Sequence, residues 1–157
     1  MGEFITTYTG KHFEPTNPDP KLIRIEDIAH ALSMLCRGNG HVKTFWSVGQ
    51  HCICCAREAA ARGLSNRMVL ACLLHDASEC YMSDVPTPFK NELPEYQEQE
   101  AYLLHLIYEK FLGSDLTAQE HAVYKRGRNA KSFTMAKHAT MADYRTATGF
   151  EALVGWL

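Results

Sequence analysis

The sequence predicts an all-α fold with one small N-terminal β-hairpin. Apolar residues recur at helical spacing through most of the chain, as Ile28, Leu32 and Leu35 do, or Tyr102, Leu103, Leu106, Ile107 and Phe111. β-branched and aromatic residues cluster only near the start, at residues 4–8 and 22–25. A length of 157 residues is enough for one compact domain. An apolar share of 46% and a charged share of 22% are those of an ordinary globular protein, which excludes a disordered, collagenous or coiled-coil chain.

Each element has a local reason. The two β-prone stretches flank EPTNPDP, so a hairpin is expected between 4–8 and 22–25. A first helix is expected over 26–37, stopped by GNG. Ser47 is placed to cap a second helix, which runs to Arg62 and stops at Gly63. Ser65 or Asn66 opens a third, whose apolar run VLACLLH passes straight into HDASE. Three prolines make SDVPTPFKNELP a loop, and Pro94 then starts a helix to about Phe111. Leu116 and Thr117 open another, to about Lys125, and residues 141–157 form the last.

No apolar run reaches the ~18 residues of a membrane span. MGEFITTYTGKHF lacks the apolar segment of a signal peptide. Four of the six cysteines fall in helical pattern, as reduced core residues do, and Cys52 and Cys55 form a CxxC without a second pair. A cytoplasmic protein without a structural zinc site is the expectation. A net charge of −2 gives no global reason to bind nucleic acid. The charge is unevenly spread: residues 1–114 hold 10 Lys/Arg against 14 Asp/Glu, and residues 115–157 hold 6 against 4.

The chemistry concentrates in His51 of VGQH, His75 and Asp76 of LLHD, and Glu79 and Asp84 downstream. A His-Asp pair at the end of an apolar helix is an unusual core element, because a buried carboxylate needs a cation or several donors. Two imidazoles and a carboxylate suit one divalent transition metal with positions left open for water. Manganese, cobalt, iron, zinc and nickel all fit such a set. Glu79, three residues beyond Asp76, falls one helical turn away and is placed to move protons. A lone His-Asp pair would be unremarkable; HDASE followed by DVPTP is not.

Residues 4–114 resemble the HD-domain phosphohydrolases, in particular their 5'-deoxynucleotidase-like branch. The likeness runs through TYTGKHFEPTNPDP, IEDIAHALSMLCRGNGH, FWSVGQH, LLHDASE, DVPTPFK and LPEYQEQE. It implies an HD-domain-like helical bundle that hydrolyses nucleoside 5'-monophosphates or other phosphomonoesters. His51, His75 and Asp76 fall on its metal-ligand positions, and Glu79 and Asp84 on its acidic catalytic positions. Arg37 falls on a phosphate-binding arginine, whose planar fork suits that role, and Thr87 on a pocket position.

The family's fourth ligand is a late-helix aspartate, and the matching position here holds Arg128 in YKRGR. An arginine repels a metal. Asp143 is the downstream carboxylate taken as its replacement, with Asp115, Glu120 and Glu151 as the other acidic residues. Residues 115–157, LTAQEHAVYKRGRNAKS and DYRTATGFEALVGWL included, resemble the C-terminal part of the Mini-III ribonucleases. Glu151 falls on one of that family's metal-binding carboxylates, but its N-terminal half is absent. The chain thus reads as a chimera: a core over 1–114 and a helical segment over 115–157 that completes or covers it.

The expected function is that of a metal-dependent phosphomonoesterase, acting as a homodimer as both resembled families do, with no nucleic-acid partner. Two alternatives stand beside it. One is a helical chimera that keeps the metal and phosphate pocket without turnover. The other is a weak RNA-binding protein using the basic run KRGRNAK at 125–131.

Overall fold

The computed structural model describes residues 3–120 and 122. The order is β1 (Ile5–Thr6), β2 (His12–Phe13), α1 (Ile25–Met34), α2 (Val48–Ala61), α3 (Asn66–Leu74), α4 (Glu79–Met82), α5 (Thr87–Lys90) and α6 (Pro94–Leu112). The described residues are mostly helical, with one small antiparallel sheet among them. Among the described residues no helix is long and apolar enough to cross a membrane.

The hairpin is tighter than the sequence suggests. Ile5 pairs with Phe13 and Thr6 with His12. Residues 22–25 are not its second strand: Pro20–Leu22 is a 3-10 turn capped by the Asp19 side chain, and α1 begins at Ile25. The reversal lies at Thr7–Lys11, where Thr7 N–H donates to the Lys11 carbonyl at 2.8 Å and Gly10 N–H to Thr7 at 2.9 Å. The proline-rich stretch follows the hairpin and does not form its turn. Asp27 then ties hairpin to helix. Its buried carboxylate accepts Thr9 N–H at 2.7 Å and the Thr9 hydroxyl at 3.0 Å.

The described chain divides into two compact units. One comprises residues 1–52 and 74–115; the other comprises residues 53–73 and those from 116 onward. In the first, α1 packs on α4, and α6 packs on α5 and on the Pro20–Leu22 turn. Its core contains Phe13, Ile23, Ile28, Leu32, Val48, Leu103 and Ile107, all buried. Phe13 stacks on Tyr81 with ring centroids 4.0 Å apart. Gly49 lets α2 start close against α1, since a Cβ there would meet the Leu32 carbonyl and Ser33 N at 3.3 Å. In the second unit Cys55, Ala59 and Cys72 form a small core with Leu64 and Val69. Arg67 pairs there with Glu120 at 3.1 Å.

Two capping boxes fall at the expected helix starts. Ser47 Oγ accepts Gln50 N–H at 3.0 Å while Gln50 Oε1 accepts Ser47 N–H at 2.9 Å. Thr117 and Glu120 repeat the device at 3.2 and 2.7 Å. The expected helix over 141–157 and the basic run at 125–131 lie outside the described residues.

Candidate metal and phosphate site

The first unit gathers residues from several separate segments at one place. Leu35 to Arg37 runs antiparallel to Trp46 to Val48: Val48 N–H donates to the Leu35 carbonyl at 2.9 Å and Arg37 N–H to Trp46 at 2.8 Å. This pairing holds Arg37 beside the start of α2, where His51 sits one turn in. The chain then reverses through Gly38, Asn39 and Gly40, all with positive φ, a turn that the two glycines make accessible.

Past Leu74 the helix does not continue into HDASE as expected. Ala77 N–H donates to Leu74, Glu79 to Asp76 and Tyr81 to Ser78, each three residues back. This tightened winding replaces the regular helix over His75–Ser78, and α4 restarts at Glu79. The short step aims His75 and Asp76 at His51.

Asp76 Oδ2 is the common vertex. It lies 2.7 Å from Arg37 Nη1, 3.2 Å from His75 Nε2 and 3.5 Å from His51 Nε2. The two imidazole Nε2 atoms face each other at 3.1 Å. Two lone pairs cannot share that gap, so a proton or a metal cation must stand between them. Cys52, His75 and Asp76 also place ligand atoms within 4.8 Å of one another, a possible metal-binding group.

The electrostatics divide the roles. Burial, then the charges of His75 and Arg37, push His51 down to about 3, so it is neutral at pH 7. Burial also opposes a charge on His75, but Asp76 and Cys52 outweigh it and raise its pKa well above the ordinary value. Burial works against Asp76 as well; His75, Arg37 and His51 hold it ionised, well below the carboxylate range. Glu79 behaves oppositely. Burial first, then the neighbouring charges of Asp76 and Asp84, push it up to about 9. Its Oε2 is buried with no hydrogen-bond partner among the described residues. Its Oε1 lies 4.0 Å from Lys90 Nζ, which is itself drawn to Glu100 at 2.6 Å.

Asp84 lies beside the cluster, but its contacts are those of a scaffold. Oδ2 accepts Gly38 N–H at 2.8 Å and is 3.9 Å from Arg37 Nε. Its aim depends on Ser83, at φ 76° and ψ 161°, a backbone conformation largely reserved for glycine. Tyr96 Oη holds that bend by donating to the carbonyls of Met82 at 3.1 Å and Ser83 at 2.9 Å. Thr87 is exposed at the start of α5 and takes part in none of these hydrogen bonds. Asp143 lies outside the described residues.

Sequence reasoning missed Cys52 and Lys90. Cys52 adjoins His51 in a helix, but neighbours in a helix point about 100° apart, so adjacency alone gave no hint that both approach His75. Nothing in PTPFK marked Lys90 as the cation near Glu79.

No protein-family model matches the chain. It is 38% identical over 108 residues to the uncharacterised protein YfdR of Escherichia coli, covering 69% of this chain and 58% of that protein. It is 54% identical over 52 residues to Mini-ribonuclease 3 of Enterococcus faecalis, 33% of this chain and 39% of that one. A Mini-ribonuclease 3 of Streptococcus pneumoniae is 40% identical over 74 residues, 46% of this chain and 56% of that one. The chain therefore spans 39–58% of the length of these three relatives. The 108-residue match is longer than the segment 115–157 and must include much of the front.

These findings correct two expectations. Mini-ribonucleases 3 of several bacteria recur among its relatives, so a nucleoside 5'-monophosphate phosphohydrolase is not supported. The same relatives overturn the expectation that nucleic acid is not a partner. That expectation rested on net charge, which averages an acidic front with a basic back and so passes over the local run KRGRNAK. What the likenesses establish is similarity over part of the chain to YfdR and over part of it to Mini-ribonuclease 3.

Proposed function

We propose that this protein binds RNA and that its first unit is a divalent-metal hydrolytic centre acting on a phosphate ester of that RNA. The observation that carries the reading is the recurrence of Mini-ribonuclease 3 among its relatives. The donor chemistry is consistent with it. Two imidazole nitrogens 3.1 Å apart and a shared carboxylate oxygen fit one divalent ion. We assign His51, His75 and Asp76 as its ligands; Asp143, the fourth expected from the sequence, lies outside the described residues. The HD-domain likeness of the front supports the same assignment.

A bound divalent metal supplies Lewis-acid polarisation of a phosphoryl oxygen and a lowered pKa for water. The chain's own groups do the rest. Arg37 offers a fixed fork to the phosphate, in a position maintained by Asp84. Glu79, buried and holding its proton to about 9, donates it to the leaving oxygen. Lys90 stands close enough to Glu79 to favour the resulting carboxylate. The basic run at 125–131 supplies phosphate contacts along the RNA backbone.

Filter binding of a 20-base-pair RNA and of its single strands, across a salt series and with manganese present, tests the reading. Binding should weaken linearly in log salt, and replacing Lys125, Arg126, Arg128 and Lys131 with Ala should flatten that slope. Absence of binding to either RNA at low salt overturns it. A second reading, RNA binding without turnover, is favoured by Arg37, whose Nη1 occupies Asp76 Oδ2 at 2.7 Å. Binding with intact RNA after prolonged incubation in manganese selects that reading.

A further inference from the structure

A concavity lies between the hairpin and helices α1 and α4, and none of the metal-cluster residues line it. Its volume is about 290 Å³, and Ile5, Tyr8, Asp27, His30, Cys80 and Tyr81 are among its lining residues. That is near the lower end of ligand pockets, ~300–1,000 Å³, and suits a small planar molecule.

Its lining combines three features. Tyr8 stacks on His30 with centroids 3.8 Å apart and planes 11° from parallel, yet its side chain is 66% exposed. One ring face is thus fixed on His30 and the other is available. Tyr81 is buried; the Arg24 backbone and the Cys80 thiol lie near its hydroxyl, but neither makes a well-aligned hydrogen bond with it. A buried unsatisfied hydroxyl costs about 1–3 kcal/mol, so a site that leaves one is poised to satisfy it with a ligand. Asp27 accepts two hydrogen bonds from Thr9. A carboxylate has about four lone-pair sites, so it can accept further.

We propose that this pocket binds a nucleobase, which stacks on Tyr8, accepts a hydrogen bond from the Tyr81 hydroxyl and donates one to Asp27. Every nucleobase has a donor and an acceptor side by side on its pairing edge, and unpaired bases bind proteins by stacking plus edge hydrogen bonds. The proposal rests on the RNA reading above in that the base is one unstacked from that RNA. Burial holds the Tyr81 phenol above its ordinary range, so it stays a donor.

The test uses the ¹⁵N-labelled full chain with adenosine, a five-residue oligoadenylate and the abasic form of that oligomer. Adenosine should shift the amides of Thr7, Tyr8 and His30. Tyr81→Phe should weaken it about tenfold, the loss of one hydrogen bond. Tyr8→Ala, at an exposed position, should weaken it at least as much through lost stacking, and serves if Tyr81→Phe does not fold. The oligoadenylate should bind more tightly than its abasic form. Equal binding of the two oligomers with no shift at these amides overturns the pocket and leaves the RNA reading intact. Adenosine bound here without any oligomer binding keeps the pocket and refutes the RNA reading. No response to adenosine or to either oligomer overturns the pocket.

Discussion

Glu79 allows the site's electrostatics to be tested without any knowledge of substrate. Its side chain is 6% exposed, its Oε2 has no partner among the described residues, and the nearest cation, Lys90, is 4.0 Å away. In the folded chain it keeps its proton up to about 9, against 4.5 for an ordinary glutamate. Between those values the native state holds a proton that the unfolded state has released. The stability contributed by this group is therefore complete below about pH 4.5 and is lost as pH rises towards 9. The limiting slope is ~1.4 kcal/mol per pH unit, so the loss between pH 5 and 8 reaches about 4 kcal/mol. Glu79→Gln replaces a neutral acid with a neutral amide of the same shape and does not titrate. Urea unfolding of both proteins in chelator, at half-unit steps of pH, gives the comparison. His75, His51 and the surface groups titrate alike in the two and cancel in the difference. The parent should lose stability relative to Glu79→Gln as pH rises. Two curves that stay parallel from pH 5 to 8 would refute the claim that Glu79 is neutral in the folded site, and with it the assignment of Glu79 as proton donor.

Other expectations follow from single contacts. Asp27→Ala removes both acceptors of Thr9 and should cost about 2–4 kcal/mol by urea unfolding, whereas Thr9→Val should cost about half of that; equal small effects would show the tie to be unimportant. Ser83→Gly relieves the backbone at φ 76° and should stabilise by about 1 kcal/mol, read as a raised thermal midpoint; a destabilised variant would contradict the strained geometry. His75→Ala should abolish stoichiometric manganese or zinc in dialysed protein, measured by elemental analysis; retained metal would move the site elsewhere. Calorimetry in two buffers of different ionisation enthalpy should show about one proton released per metal bound at pH 7, because His75 is protonated in the metal-free protein; a buffer-independent heat would overturn that.

The sequence made helix starts legible and strand partners illegible, for a physical reason. Ser47 with Gln50, and Thr117 with Glu120, act through contacts three residues apart, so their capping function is written locally. The hairpin partner is a choice between distant segments. Residues 22–25 have the composition of a strand, but Pro20 and the Asp19 cap wind the chain into a 3-10 turn before them. His12 and Phe13 take the pairing because the short reversal at Thr7–Lys11 brings them back first. The kink after Leu74 was hidden in the same way. An apolar run that leads into His75 and Asp76 reads as one helix, and only the tertiary demand that both side chains meet His51 tightens it.

The candidate site shows the same division between residue type and residue role. His51, His75, Asp76, Glu79, Asp84 and Arg37 do converge, so which residues meet was legible in the sequence. What the string could not carry was who faces whom. Asp84, expected to handle protons, instead accepts Gly38 N–H and stands near Arg37. Arg37, expected to meet a phosphate, lies on Asp76 Oδ2. These two facts imply one another. A guanidinium held between two carboxylates is oriented before any phosphate arrives, and the loop turn at Gly38 to Gly40 exists to put it there. The same pairing places a cation on the oxygen we assign to a metal. Metal and Arg37 therefore compete for Asp76, and a phosphate resolves the competition by giving the guanidinium a different anion. Metal affinity should then rise when inorganic phosphate is present, and the rise should vanish in Arg37→Met. A phosphate effect of equal size in both proteins would show that Arg37 takes no part in the exchange.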